Sequence, residues 1–163
     1  EQGGRFSGTE EERVHLLRKL AEARPMLVDI ELHTLRSNDR LADYLELASI
    51  PVLVSWHDFE KTPSNDELSS ILTEMRIFST YVKIVTTSKS VADSVRVMNL
   101  YKGAIGLHPI IFAMGEPGII TRVLSVLYGA PYAYATLSKA VAPGQLTLEQ
   151  MRNLYDGIKS NSF

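Results

Sequence analysis

Short apolar runs of strand type recur between helix-type patterns along this chain, and no other feature limits its fold as much. The runs are residues 26–32, 52–57, 81–85, 110–115 and 132–137, and the stretches between them carry apolar residues at helical spacing. A helix between successive strands lets those strands lie parallel. The order is one helix, then strand and helix five times over, which predicts an α/β fold with a parallel sheet and right-handed crossovers. Each strand is expected to be buried on both faces.

The helix starts are written locally. Thr9 with Glu12, Ser64 with Glu67 and Thr147 with Gln150 have the spacing of a capping box, in which hydroxyl and carboxyl (or amide) satisfy each other's backbone N–H. Apolar spacing then predicts inward faces of Val14, Leu17, Leu20 and Ala21 in the first helix, to about Ala23, and of Leu68, Ile71, Leu72 and Met75 in the Ser64 helix. A short helix is expected over residues 39–48, one from about Ser88 with Val91, Val95 and Met98 inward, and one from Pro117 with Ile120, Val123, Leu124 and Leu127, stopped by Gly129. The final helix carries Met151, Leu154, Tyr155 and Ile158. Residues 1–8 hold three glycines and no periodicity, and read as a loop.

Two strands carry proton-active residues. Alternation puts Leu53, Ser55 and His57 on one face and Val52, Val54 and Trp56 on the other; in the later strand Lys83 shares a face with Tyr81 and Val85, opposite Val82 and Ile84. A mid-strand lysine between apolar neighbours buries its stem, and burial favours the neutral, nucleophilic amine used in Schiff-base chemistry. Taken singly, a strand histidine is more often a hydrogen-bonded core residue and a strand lysine more often reaches to water. The pair, with Asp29 and Glu31 on one face of the preceding strand, reads equally well as a reaction centre. Those two carboxylates need cations or donors nearby and are candidates for an ion-pair network or for bracing backbone.

Composition sets outer bounds. The 163 residues, 45% hydrophobic and 22% charged, suit one domain over 1–163 with a sizeable core. A net charge of −2 without a Lys/Arg cluster argues against nucleic acid or an anionic membrane as the main partner and leaves small anionic ligands open. With no cysteine, disulfides, thiolate metal sites and a cysteine nucleophile are excluded, and a cytoplasmic setting is permitted. No apolar run approaches membrane-spanning length.

Four blocks then carry a resemblance. Ser55-Trp56-His57-Asp58-Phe59-Glu60-Lys61-Thr62-Pro63, Val82-Lys83-Ile84, Ala113-Met114-Gly115 followed by Arg122, and Ala142-Pro143-Gly144-Gln145 resemble, in order and spacing, the signatures of the type I 3-dehydroquinate dehydratases. The resemblance implies a (β/α)8 TIM barrel of which this chain supplies about the last five strands, since such barrels take about 250 residues and have active sites at the C-terminal ends of their strands. It implies a lyase of the shikimate pathway that dehydrates 3-dehydroquinate to 3-dehydroshikimate, with Lys83 forming the imine and His57 as general acid/base, and with no metal or organic cofactor. Arg122 would bind the substrate carboxylate, Gln145 would hydrogen-bond substrate from a closing loop, Met114 would line the pocket, and Ser138 is close to the lid as a further contact. Where the family has Glu-Gly-Gly to orient the histidine, this chain has Gln2-Gly3-Gly4, with Glu1 one position earlier; Asp29 or Glu31 is the alternative carboxylate. Val141 stands where the family commonly has a hydroxyl. A homodimer and a preceding segment that completes the barrel also follow from the resemblance. Another Schiff-base barrel enzyme, aldolase-like, and a silent relative that only binds ligand or partner are the alternatives.

Overall fold

The computed structural model describes residues 6–138 and 144–160. The chain enters through α1 (Glu10–Glu22) and lays down β1 (Val28–Glu31), α2 (Leu32–Ser37), α3 (Asp39–Leu47), β2 (Val52–His57), α4 (Asn65–Phe78) and β3 (Tyr81–Thr87). Next come α5 (Val91–Asn99), β4 (His108–Met114), α6 (Ile119–Leu127) and α7 (Leu148–Ser160). The four strands form one parallel sheet in the order β1-β2-β3-β4. The α/β class with a parallel sheet is as expected.

Capping fixes where helices begin. The Thr9 hydroxyl accepts the Glu12 N–H at 3.2 Å while the Glu12 carboxylate accepts the Thr9 N–H at 2.7 Å, and Ser64 with Glu67 repeats the arrangement. Thr147 and Gln150 do the same at α7, at 2.8 and 3.1 Å. Ser90 with Asp93 opens α5 in the same way, two residues later than the sequence suggested.

The sheet separates two packing layers. Val52, Val54, Val82, Ile84, Ile111 and Ala113 face the helices, where Leu68, Leu72, Met75 and Val97 meet them. Burying each of the Val, Ile, Leu and Met side chains stabilises the fold by about 1.5–3 kcal/mol. The other face carries a smaller cluster of Leu53, Val85, Ile110, Phe112 and Met114, with Leu27, Tyr81 and Tyr132 against it. This division follows the expected alternation, with Trp56 on the helix side.

Several expectations need correction, beginning with α1, where Leu20 was expected inward and is exposed while Ala21 is buried. Residues 132–137 form no strand, so the described sheet has four strands, not five. A strand needs a neighbour for its ladder. Here Thr136 donates its N–H to the Leu146 carbonyl at 3.0 Å and accepts from Leu148 N–H at 2.8 Å, making one isolated bridge with Thr147. The run expected to end at Leu32 stops at Glu31, because Leu32, Thr34 and Leu35 turn inward as one side of α2. In α5 the buried residues are Ser94, Val97 and Met98, while Val91 and Val95 are exposed. The Ser94 hydroxyl is satisfied inside by the Pro117 carbonyl at 2.7 Å. In α6, Thr121, Arg122, Val123 and Ser125 are buried, while Ile120 and Leu127 are exposed. Thr121 holds that rotation by donating to the Gly118 carbonyl at 2.6 Å and accepting the Ala113 N–H at 2.8 Å.

Candidate active site

The register of the strands assembles the site on the sheet face away from the helices. Glu31, Ser55, Lys83 and Ile110 lie level across β1 to β4, and His57, Val85 and Phe112 form the next level towards the C-terminal ends. Asp29 lies one level towards the N-terminal ends, paired with Leu53. Because Leu53 and Ser55 are short beside lysine, the Lys83 side chain reaches across β2, and its Nζ donates to Asp29 Oδ2 at 2.9 Å. The lysine side chain is 13% exposed and the carboxylate 42%, so the pair is sheltered at one end and wet at the other. Lys83 is therefore one half of an ion pair rather than an isolated amine among apolar side chains. Asp29, one of the two expected ion-pair carboxylates, supplies the other half.

His57 ends β2 half-buried, its ring stacked on Phe59 at 5.8 Å between centroids and 10° between planes. Burial lowers its pKa from 6.5 to about 4; the Lys83 charge pushes the same way and the Asp29 charge opposes. At neutral pH this imidazole is uncharged, the protonation state a general base needs. Asp29 thus acts on His57 through space while its hydrogen bond goes to Lys83.

Around this centre, Met114 closes β4 within the inner cluster, level with Thr87. Arg122, only 5% exposed, projects from α6 with its guanidinium carbon 4.5 Å from the Phe112 ring centroid, and burial pulls its pKa down. Phe112 thereby links Arg122 to the level that holds His57. Gln145 is half-buried beside Gly144, where φ is +71° and an added Cβ would lie 2.9 Å from Ile119 Cγ1 and 3.3 Å from the Gly115 carbonyl oxygen. The turn carrying Gln145 thus sits on the C-terminal end of β4. Ser138 is exposed, its N–H directed at Thr136 Oγ1 at 3.4 Å. Glu31 is half-buried at the end of β1. Glu1, Gln2 and Val141 lie outside the described residues.

The aromatic wall was not read from the sequence. The Tyr134 ring centroid is 5.0 Å from Lys83 Nζ, Tyr132 meets Tyr134 edge-on at 6.0 Å, and Tyr134 reaches Phe112 at 6.4 Å. Burial raises the phenol pKa of both tyrosines, with the Asp29 charge adding to it. The available signal was the alternation Tyr132-Ala133-Tyr134-Ala135, which puts both rings on one side. A cleft of about 530 Å³ at the opposite, N-terminal ends of the strands, lined by Asp39, Asp43, Glu46 and Tyr81 among others, holds none of the candidate residues. Among the described residues, no group of three or more His, Asp or Glu side chains is placed to hold a metal ion, and no helix is long and apolar enough to cross a membrane.

A parallel sheet with a lysine–aspartate pair, an imidazole and a buried arginine gathered on one face defines an α/β protein whose candidate site lies towards the C-terminal ends of its strands. The chain belongs to the type I 3-dehydroquinase family, whose profile matches residues 1–162. It is 38% identical over 160 residues to a 3-dehydroquinate dehydratase of Dehalococcoides mccartyi, covering 96% of this chain and 71% of that protein. A Thermococcus gammatolerans protein of the same name is 40% identical over 155 residues, covering 94% of this chain and 71% of the relative. The crystal structure of 3-dehydroquinate dehydratase from Geobacillus kaustophilus superposes with a TM-score of 0.87 at 26% identity, over 99% of this chain and 65% of that one. The chain thus spans about seven tenths of the length of these two relatives and just under two thirds of this solved one.

Proposed function

We propose that this chain carries the reaction centre of a hydro-lyase that converts 3-dehydroquinate to 3-dehydroshikimate, a cytoplasmic step of the shikimate pathway, within a (β/α)8 barrel. The observation that carries this reading is the Lys83–Asp29 pair at 2.9 Å on the same sheet face as His57, in a chain of the type I 3-dehydroquinase family.

Asp29 is the nearest base for the Lys83 ammonium proton. The freed amine attacks the substrate ketone, a C–N bond forms, and the carbonyl oxygen leaves as water with one proton from the nitrogen and the one that Asp29 gives back. The resulting protonated imine withdraws electrons from the adjacent carbon. His57, uncharged at neutral pH, takes a proton from that carbon. The enamine electrons then expel the neighbouring hydroxyl, which leaves as water with the proton that His57 returns. A second water hydrolyses the imine and restores Lys83. The Tyr134 face favours a cation at Nζ before and after imine formation. Arg122 meets the substrate carboxylate with a planar guanidinium, Gln145 hydrogen-bonds substrate from the turn at the end of β4, Ser138 adds a further hydrogen bond, and Met114 lines the wall.

Borohydride reduction in the presence of 3-dehydroquinate, followed by peptide mass mapping, tests the reading. A ligand-sized mass increase on the peptide containing Lys83, absent from Lys83→Ala, is expected. Folded protein that takes up no adduct refutes it.

A further inference from the structure

The residues after His57 in its sequence block are tied to the end of β3 by several hydrogen bonds. Asp58 donates its N–H to the Val85 carbonyl at 2.9 Å, extending the ladder one residue beyond His57. The Thr87 hydroxyl donates to the Asp58 carbonyl at 3.0 Å, and Thr87 N–H to the Lys61 carbonyl at 3.2 Å. Within the loop, Asp58 Oδ1 accepts the N–H groups of Glu60 and Lys61 at 2.8 and 2.9 Å, an Asx-type turn that folds the chain back onto β3. The buried Thr62 hydroxyl closes the loop by donating to the Thr87 carbonyl at 3.0 Å. With that proton used, the hydroxyl of the fully buried Thr86 is the donor in its 2.9 Å bond to Thr62 Oγ1. Arg96 of α5 pins the exit, its Nη1 donating to the carbonyls of Thr62 and Pro63 at 3.2 and 3.3 Å and to Asp93 Oδ1 at 3.0 Å.

We propose that Asp58 and Thr62 are positioning residues for the reaction assigned above: they fasten the end of β2 to the end of β3, and so fix the height of the His57 imidazole relative to Lys83. The two strands already pair through Ser55 with Lys83 and His57 with Val85. A parallel pair frays at its C-terminal end, where the ladder stops. His57 is the last residue of β2, so without the loop its backbone would be the first to part from β3. Proton transfer requires the imidazole within hydrogen-bond reach of the carbon next to the imine, and a misplacement of about 1 Å costs on the order of a hundredfold in rate. The hydroxyl pair Thr62–Thr86 lies on the helix side of the sheet and can be altered without touching the reacting side.

This inference rests on the proposed reaction, and the test separates the two. Thr62→Val keeps the side-chain shape and removes both hydrogen bonds. Expected are a fall in kcat of about tenfold or more with KM within about twofold, and a His57 titration, followed by NMR, that moves upward from wild type as the freed ring gains water. Thr62→Ser should restore both. Asp58→Asn retains the oxygen that accepts the two N–H groups and should behave as wild type, whereas Asp58→Ala should behave as Thr62→Val. A folded Thr62→Val protein with unchanged kcat and an unmoved His57 titration overturns the proposal. So does an Asp58→Asn protein as impaired as Asp58→Ala, since charge rather than loop geometry would then matter. Should Thr62→Val not fold, the Asp58 pair decides alone. Absence of a Lys83 adduct in wild type would defeat the proposed reaction while leaving the His57 titration readable.

Discussion

His57 should make stability fall in acid in a way that one substitution removes. Burial, followed by the Lys83 charge, lowers its pKa from 6.5 to about 4, against the smaller opposing effect of Asp29. The unfolded chain therefore binds a proton at higher pH than the folded one. Between 6.5 and about 4 the unfolded state holds more protons, so stability rises with pH across that window and is lost as pH falls through it. Above 6.5 the contribution is fully present, and below about 4 both states are protonated and the slope ends. A shift of this size corresponds to about 3 kcal/mol at 1.36 kcal/mol per pH unit. The imidazole is only half-buried, so solvent screening reduces the expected loss to about 2 kcal/mol between pH 8 and pH 4.5. The assay is urea unfolding of wild type and His57→Gln at half-unit steps from pH 8 to 4.5. Carboxylates and the other three histidines titrate in both proteins and cancel in the difference. Wild type should lose about 2 kcal/mol more than the variant, with an unchanged m value. Parallel stability curves, or an NMR titration of His57 at the ordinary imidazole pKa, would refute the reasoning and with it the picture of a neutral base held beside a cation.

Three further expectations concern its surroundings. Asp29→Asn leaves the sheltered Lys83 ammonium without its carboxylate, and because Asp29 is itself 42% exposed the cost should be about 1–2 kcal/mol by urea unfolding at pH 7. Tyr134→Leu removes the ring 5.0 Å from Lys83 Nζ; a double-mutant cycle with Lys83→Met should return a coupling of about 0.5–1 kcal/mol, and a coupling of zero would remove the cation–π interaction from the account. At Gly115, φ is +82° and ψ 164°, and an added Cβ would lie 2.6 Å from the Ser88 carbonyl oxygen, so Gly115→Ala should lower stability by about 2 kcal/mol or more.

What could be read in advance was what depends on near neighbours in sequence. The capping pairs Thr9–Glu12, Ser64–Glu67 and Thr147–Gln150 act over three residues and appear where expected. The two faces of β2 and the two faces of β3 each follow from alternation, whereas it is the pairing of Ser55 with Lys83 that puts His57 and Lys83 on one side. The rotations of α5 and α6 were not legible. Apolar spacing pointed Val91, Val95, Ile120 and Leu127 inward, but Ser94 and Thr121 have carbonyl partners inside and take those places. A hydroxyl is buried when its partner is waiting, and the Pro117 carbonyl that meets Ser94 and the Ala113 N–H that meets Thr121 both belong to other elements of the fold. The segment with Tyr132 and Tyr134 has the alternation of a strand, yet whether it becomes one depends on an edge that alternation does not describe. The Lys83–Asp29 pair is of the same kind: 54 residues separate the partners, and only the register of three strands brings them together.

That register also explains how a basic amine and a neutral imidazole coexist on one small face. A lysine charge next to histidine makes imidazolium harder to form, and burial adds to the same effect. Asp29 is hydrogen-bonded to Lys83 at 2.9 Å, and its charge acts on His57 less than burial or the Lys83 charge does. A carboxylate at the level of His57 would instead favour imidazolium, which cannot act as a base, and so oppose the effect of burial. In the proposed reaction the cation persists at Nζ when the ammonium is replaced by a protonated imine, so the electrostatic pressure that keeps His57 neutral is still present when it must take the proton. The placement of Asp29 one level below Lys83, rather than beside His57, is thus what lets one aspartate hold the lysine without disarming the base.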